Sequence, residues 1–298
     1  NRKSEILYGQ LEILGVMAEQ AGHPYPQGLL RRGWDVILLN QFHDIIPGSA
    51  IGPVYEQTDR EYEEILTEGV REARTLAGCL GKRGQEKKEM EGDGCQEGRF
   101  LVVVNTLGFV RDDVVEAAGA AADITRIRDG AGKDSPMQYT RDGRLLFFAK
   151  GLPPVGIQTF ELVAEGPDAL KEEPLPDVWD GVFENSWYRA EFNERMELTA
   201  LVEKGSNCQL LKEGRVGNQL LTYEDRPMNW DNWDVDLFYQ KKPYGPDRVS
   251  APVLKERGPV RTVVGIRLEF ADSVVEQEIV LYPDLPRIDF VNRAVWNN

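Results

Sequence analysis

The N-terminal part of the chain repeats apolar residues at the spacing of a helix. The first stripe ends where a glycine and two prolines fall within residues 22–26, and its members are Leu7, Leu11, Leu14, Met17 and Ala21. A second stripe covers residues 30–41 and a third covers residues 55–80, with Pro53 suited to the first turn of the third helix. Three helices with short connections predict an antiparallel bundle over residues 1–83.

Beyond the predicted bundle, the pattern changes to short runs rich in β-branched and aromatic residues. Residues 84–98 are rich in Gly, Lys and Glu and predict a linker. From residue 100 onward, Gly, Pro, Asn and Asp separate the apolar runs, which is typical of antiparallel β-sandwiches. An acidic, proline-rich stretch at 165–177 divides this half into a small sandwich, 99–166, and a larger one, 167–298. The predicted fold class is α+β multidomain, with an N-terminal three-helix bundle followed by antiparallel β-sandwich domains.

The last apolar run of the sequence, at 287–291, lies within a few residues of Asn298. A sandwich that stopped there would leave strands unpaired, so we expect the larger sandwich to continue beyond this segment. The first helical stripe likewise begins with almost no lead-in. We therefore expect these residues to be a piece of a longer polypeptide.

Composition and charge narrow the classes of partner. The formal net charge is −15 and no cluster of Lys and Arg interrupts it, so we expect no nucleic-acid partner. No apolar run approaches the roughly 18 to 20 residues that a membrane helix needs, so we expect no membrane partner. The cysteines, Cys79, Cys95 and Cys208, lack CxxC spacing, which argues against a disulfide framework and against a cysteine zinc site. Together these features favour a cytoplasmic location.

The first candidate for chemistry is His43, one of only two histidines in the chain. It stands beside Asp44 near the predicted end of the second helix, where the negative end of the helix dipole favours a cation. Residue types and spacing alone leave two interpretations open. The histidine caps the helix, or it serves as a metal ligand or a catalytic group.

A second candidate cluster combines tryptophans with carboxylates, namely Trp230, Asp231, Trp233 and Asp234. Indole faces stack on the CH faces of sugars, and carboxylates accept hydrogen bonds from sugar hydroxyls. The same alternation also arises on a strand with one buried face. The residue types alone leave both interpretations open.

Several segments together resemble one family. The string Gln41-Phe42-His43-Asp44-Ile45-Ile46-Pro47-Gly48-Ser49 closely resembles the helix-end motif of glycoside hydrolase family 38 α-mannosidases. Other stretches similar to family segments are Trp34-Asp35, Tyr55, 105–111, 152–156 and the Trp- and Asp-rich 223–236. The resemblance covers most of the chain. Residues 193–197, in place of a Gly-rich hairpin, and Val295, in place of a common aspartate, depart from the family pattern.

The resemblance implies a zinc-dependent site of which this chain holds one part. His43 would be a zinc ligand, and Asp44 would hydrogen-bond mannose hydroxyls. The implied substrate-binding residues are Asp44, Trp230, Asp231, Trp233 and Asp234. The family's remaining zinc ligands, one histidine and two aspartates, have no counterpart here and are expected in a catalytic barrel that this chain lacks. Because zinc sites use three or four protein ligands and His23 lies in a Pro/Gly turn, the chain alone should bind zinc weakly.

The leading hypothesis is therefore a fragment of a zinc-dependent retaining α-mannosidase that acts on mannose-containing glycans. Both catalytic carboxylates of retaining hydrolysis would lie in the barrel, so we expect no catalytic residue in this chain and no activity from it alone. The implied partners are the glycan and the barrel of the same polypeptide, while formation of a homo-oligomer stays open. The rival hypothesis is a non-catalytic carbohydrate-binding or scaffold module with a helical adaptor, which would not need the His43-Asp44 pair.

Overall fold

The computed structural model describes residues 1–90, 99–117, 123–164, 179–230 and 233–297, without the side chains of 82–90. Of the residues named above, Cys95, Asp231 and Asn298 lie outside the described residues. Among the helices in these ranges, none is long and apolar enough to cross a membrane.

Three helices form the N-terminal part of the fold: α1 (Arg2–Gln20), α2 (Gln27–Leu39) and α3 (Gly52–Met90). Their shared core consists of Tyr8, Leu11, Leu14, Ala18, Leu30, Ile37, Ile65, Leu76 and Leu80. After α1 the chain turns at Gly22, whose φ of +90° suits glycine. Leu38, which the sequence pattern places on the apolar stripe of the second helix, is 61% exposed. The buried face of α2 is therefore narrower than its apolar pattern suggests.

Tyr8 joins the three helices. Its side chain is fully buried, and its hydroxyl donates to the Ile65 carbonyl oxygen of α3 at 3.1 Å. Its ring lies against the backbone of Gly33 in α2, where an added Cβ would come within 1.8 Å of the Tyr8 Cε1 atom. Glycine at position 33 therefore allows α2 to approach α1 closely.

The strands, in chain order, are β1 (Arg99–Asn105), β2 (Arg111–Ala117), β3 (Arg126–Arg128), β4 (Met137–Tyr139), β5 (Leu145–Leu152), β6 (Gly156–Val163), β7 (Val182–Glu184), β8 (Tyr188–Phe192), β9 (Leu198–Glu203), β10 (Cys208–Gln209), β11 (Thr222–Tyr223), β12 (Pro243–Tyr244), β13 (Arg248–Val249), β14 (Val253–Arg257), β15 (Thr262–Phe270), β16 (Ser273–Leu281) and β17 (Ile288–Val295). A short 3-10 helix, Leu237–Lys241, precedes β12. The strand pairings are antiparallel.

These strands form small sheets with the orders β1-β6-β3, β2-β5-β4, β10-β9-β8-β7, β11-β12 and β13-β15-β16-β17, with β14 also paired to β15. The first two sheets bury Phe147 of β5 against Phe160 of β6, with ring centroids 4.8 Å apart. The third and fifth sheets share a second core that includes Tyr188 and Ile279. The two-stranded β11-β12 sheet carries the Trp-rich segment between its strands.

The predicted fold class, an N-terminal three-helix bundle followed by antiparallel β-sandwich domains, is wrong, because the strands form several small sheets that share cores with their neighbours. Within the described ranges the strands fall into five small sheets, and Val104 of β1 and Ile157 of β6 pack against the helical core. Phe148 of β5 packs in turn with Val263 and Val280 of the last sheet. Short strands leave apolar faces that one partner sheet cannot cover, so adjacent parts share their cores.

The boundaries 1–83, 84–98, 99–166 and 167–298 stay a prediction. The backbone of α3 is helical to Met90, and residues 91–98 and 165–178 lie outside the described residues. A polar contact crosses the last proposed boundary, because the buried Gln138 Oε1 accepts from the backbone N–H groups of Val260 at 3.2 Å and Arg261 at 3.1 Å. Polar pairing therefore joins the β regions in addition to the shared apolar core.

Candidate functional site

Asn40 fixes the C-terminal end of α2 to α3. The residue is only 3% exposed, and its amide nitrogen donates to the Val36 carbonyl oxygen at 3.0 Å and to Glu61 Oε2 at 3.2 Å. Its Oδ1 accepts from the Thr58 hydroxyl at 2.7 Å. Because buried polar groups are costly unless paired, this network holds the start of the following segment in place.

After Asn40 the chain makes one further turn and then a sharp change of direction. The backbone N–H groups of Ile45 and Ile46 donate to the Phe42 carbonyl oxygen at 2.9 and 3.0 Å. Gly48 then adopts a φ of +90°, a conformation that glycine tolerates without strain. His43 and Asp44 therefore lie inside a closed turn, at a defined place beyond the end of α2.

The His43 and Asp44 side chains face solvent together. They are 64% and 60% exposed, and the His43 Nε2 atom lies 3.4 Å from the Asp44 Oδ1 atom. The Phe42 ring lies beside the imidazole, with centroids 4.2 Å apart and planes at 48°. An open imidazole next to a carboxylate can meet a cation held from outside the chain.

Trp233 comes to this turn from the distant β region. Its ring centroid lies 6.3 Å from that of His43, with the planes at 56°. The backbone N–H groups of Trp233 and Asp234 donate to the Trp230 carbonyl oxygen at 2.7 and 3.0 Å, so these residues share one tight turn. The structure thus brings Trp233 to His43 and places Trp230 and Asp234 in the turn that carries it.

The tryptophan side chains are open, which argues against a buried strand face. Trp230 is 71% exposed and Trp233 is 54% exposed, and the described part of 224–236 is irregular rather than a strand. Trp230 also adopts a φ of +61°, which is uncommon for a bulky residue. The interpretation of this alternation as a half-buried strand is therefore wrong for the described residues.

The described residues supply too few ligands for a complete zinc site. Within the described ranges, no group of three or more His, Cys, Asp or Glu side chains could hold a metal ion. Zinc in proteins takes three or four ligands. The His43 imidazole fits the role of one such ligand because it is exposed and accessible, and the others would have to come from residues outside the described part of this chain.

An apolar surface borders the turn and was not anticipated from the sequence. Each of its large side chains is more than half exposed, and they are Leu38, Leu39, Phe42, Ile46 and Ile51. We name this set the α2-end surface. Large apolar side chains that are exposed near one another along the chain are candidates for an interaction site. The available signal was the run of apolar residues on both sides of His43, which is longer than one buried helix face requires.

Two parts of the chain match known domain families. Residues 1–80 match the alpha mannosidase middle domain, and residues 183–298 match the C-terminal domain of glycosyl hydrolases family 38. These matches, which include the turn with His43 and the segment with Trp233, place the chain in the class of glycosyl hydrolases. Within that class the chain belongs to family 38.

Relatives and solved structures agree with this assignment. The chain is 28% identical to Alpha-mannosidase 2C1 of Homo sapiens and 23% identical to Alpha-mannosidase G of Dictyostelium discoideum. Both alignments cover 100% of this chain but only 26% and 29% of the relatives. An alpha-mannosidase from Enterococcus faecalis V583 shares the fold with a TM-score of 0.64 and 15% identity, over 96% of this chain and 40% of that one.

Proposed function

We propose that the chain is the segment of a zinc-dependent retaining α-mannosidase that contributes one zinc ligand and part of the sugar site. The observation that carries this proposal is the exposed imidazole of His43, which meets Asp44 and the Trp233 ring beyond the end of α2. Core packing does not account for an aromatic ring from a distant β segment at such an exposed position. Membership of family 38 supports the same conclusion.

Each residue of the turn has a separate role in this proposal. His43 provides one imidazole nitrogen to zinc, which when bound supplies the Lewis acidity that holds and polarises sugar hydroxyl oxygens. Asp44 accepts hydrogen bonds from mannose hydroxyls. Trp233 offers an indole face for the CH groups of the sugar, and Trp230 and Asp234 extend that side of the site. The two carboxylates of retaining hydrolysis belong to the catalytic barrel.

The catalytic barrel of the same polypeptide is the proposed partner of the α2-end surface. This surface adjoins His43, so a body that completes the zinc site also covers these apolar side chains, and their burial stabilises the contact. The substrate class is the α-mannosidic bond of mannose-containing glycans, and the proposed location is cytoplasmic. The chain alone hydrolyses no p-nitrophenyl α-mannoside, and turnover by the purified chain would refute this part of the proposal.

Replacing His43 with alanine in the full-length polypeptide tests the zinc role. Zinc bound per polypeptide, measured by plasma mass spectrometry after dialysis, should fall to background. Hydrolysis of p-nitrophenyl α-mannoside should fall by at least about 100-fold. The matched control is His23→Ala, which removes the other histidine, half-buried in the connection between α1 and α2, and should leave both quantities unchanged. Normal zinc content in His43→Ala would overturn the proposal.

A non-catalytic carbohydrate-binding module is the second candidate, and the exposure of Trp230 and Trp233 favours it. In that case Trp233→Ala would abolish retention on an immobilised oligomannose, while His43→Ala would leave retention unchanged. The full-length polypeptide would also contain no zinc. Zinc in the wild type and its loss in His43→Ala would instead support the enzyme.

A further inference from the structure

The segment that carries His43 has little apolar anchorage. Between α2 and α3, the large side chains of Phe42, Ile46 and Ile51 are each more than half exposed. Ile45 alone among its large aliphatic side chains is half-buried, so hydrogen bonds determine much of the path of this segment. The bonds to the Phe42 carbonyl oxygen close the turn locally, but they do not attach it to the neighbouring helix.

Tyr55 provides the attachment from the first turn of α3. Its hydroxyl donates to the Ile45 carbonyl oxygen at 3.1 Å and accepts from the backbone N–H of Ala50 at 2.9 Å. The first contact is made directly after the His43-Asp44 pair, and the second lies beyond Gly48. Because both partners are backbone groups, one hydroxyl holds the path of the chain on both sides of the bend.

We propose that Tyr55 is a positioning residue for the proposed metal ligand. It acts through the Ile45 carbonyl and the Ala50 amide, which hold the turn so that His43 and Asp44 face outward together. Without the hydroxyl, the turn would sample more conformations, and ordering it would oppose metal binding. This inference rests on the proposed zinc role of His43.

Tyr55→Phe in the full-length polypeptide tests the proposal, because it removes the hydroxyl and keeps the ring. The dissociation constant for Zn²⁺ alone, measured by competition with a chromophoric chelator, should rise about 10- to 100-fold. The visible absorption of the Co²⁺-loaded protein should change, since it reports ligand geometry. The melting temperature should stay within about 4 °C of the wild type, because water can replace the hydroxyl at both partly buried backbone groups.

Tyr62→Phe is the matched control. Its hydroxyl lies on the same helix but donates to Asn1 Oδ1, away from the turn. This variant should bind Zn²⁺ as the wild type does. Unchanged Zn²⁺ affinity and an unchanged Co²⁺ spectrum in Tyr55→Phe would overturn the positioning role, and so would an equal loss of affinity in Tyr62→Phe. If His43→Ala retains zinc, the proposed function itself fails, which separates the two ideas.

Discussion

Gly33→Ala tests the close approach of α1 and α2 on which the position of the His43 turn depends. In an unobstructed helix interior this substitution would stabilise the protein by about 1 kcal/mol. Here the new Cβ would lie 1.8 Å from Cε1, 2.1 Å from Cζ and 2.5 Å from the hydroxyl oxygen of Tyr8. Ordinary contacts between such atoms are longer, so either the ring leaves its slot or α2 moves away.

The expected loss in the free energy of unfolding is the sum of the packing strain and the lost hydrogen bond, less the gain in helix propensity. Forcing a side chain into a packed core costs about 1–3 kcal/mol. Displacing the ring also breaks the hydroxyl contact with the Ile65 carbonyl oxygen, which contributes about 1 kcal/mol. After the gain in helix propensity is subtracted, we expect Gly33→Ala to lower the free energy of unfolding by about 2 kcal/mol.

Urea unfolding followed by far-UV circular dichroism measures this change. The matched control is Gly9→Ala in α1, next to Tyr8, where an added Cβ meets nothing within 4 Å. The control should be stabilised by about 0.5–1 kcal/mol. In a Tyr8→Leu background, Gly33→Ala should cost much less, since the shorter side chain leaves room. A Gly33→Ala protein as stable as the Gly9→Ala protein would refute the packing explanation.

Two further predictions concern buried polar groups. Gln138→Ala should lower the free energy of unfolding by about 2 kcal/mol, because it leaves the N–H groups of Val260 and Arg261 without their acceptor. Urea unfolding measures the difference from wild type. Equal unfolding midpoints for the two proteins would show that the contact is unimportant. Burial, with the nearby Glu68 carboxylate, raises the pKa of Tyr8 to about 12 from its ordinary value of 10.0. The neutral phenol is favoured in the folded state, so the contribution of Tyr8 to stability is complete below pH 10 and is lost as pH rises towards 12. The melting temperature should therefore fall less steeply between pH 9 and pH 12 for Tyr8→Phe than for wild type. Parallel plots of melting temperature against pH for the two proteins would contradict this.

The helices show what a local pattern can predict. The spacing of Leu11 and Leu14 in α1 placed both in the core, because helical periodicity depends only on neighbours along the chain. Leu38 is exposed although it follows the same pattern. α2 packs against α1 through the contact between Gly33 and Tyr8, and that contact joins two different helices. Periodicity carries no information about it.

The β region shows a similar division. Short β-branched runs located strands such as β15 and β16, but not the cores that the strands share. Val104 and Ile157 complete the helical core, and Phe148 packs with residues of the last sheet. These contacts depend on how short sheets cover each other, which involves segments far apart in sequence. The predicted fold class, a helical bundle followed by β-sandwiches, is wrong for this reason.

The sequence alone was sufficient to single out His43 and Asp44, since the residues that carry the family resemblance are consecutive and the turn closes within one short segment. Only the tertiary structure brought Trp233 to His43, exposed the Trp230 and Trp233 side chains and placed the Tyr55 hydroxyl on the turn. The physical reason is the separation along the chain of the residues in contact, because hydrogen bonds between near neighbours follow from local residue types. The contact of the His43 turn with the segment between β11 and β12 depends instead on the packing of the elements that separate them.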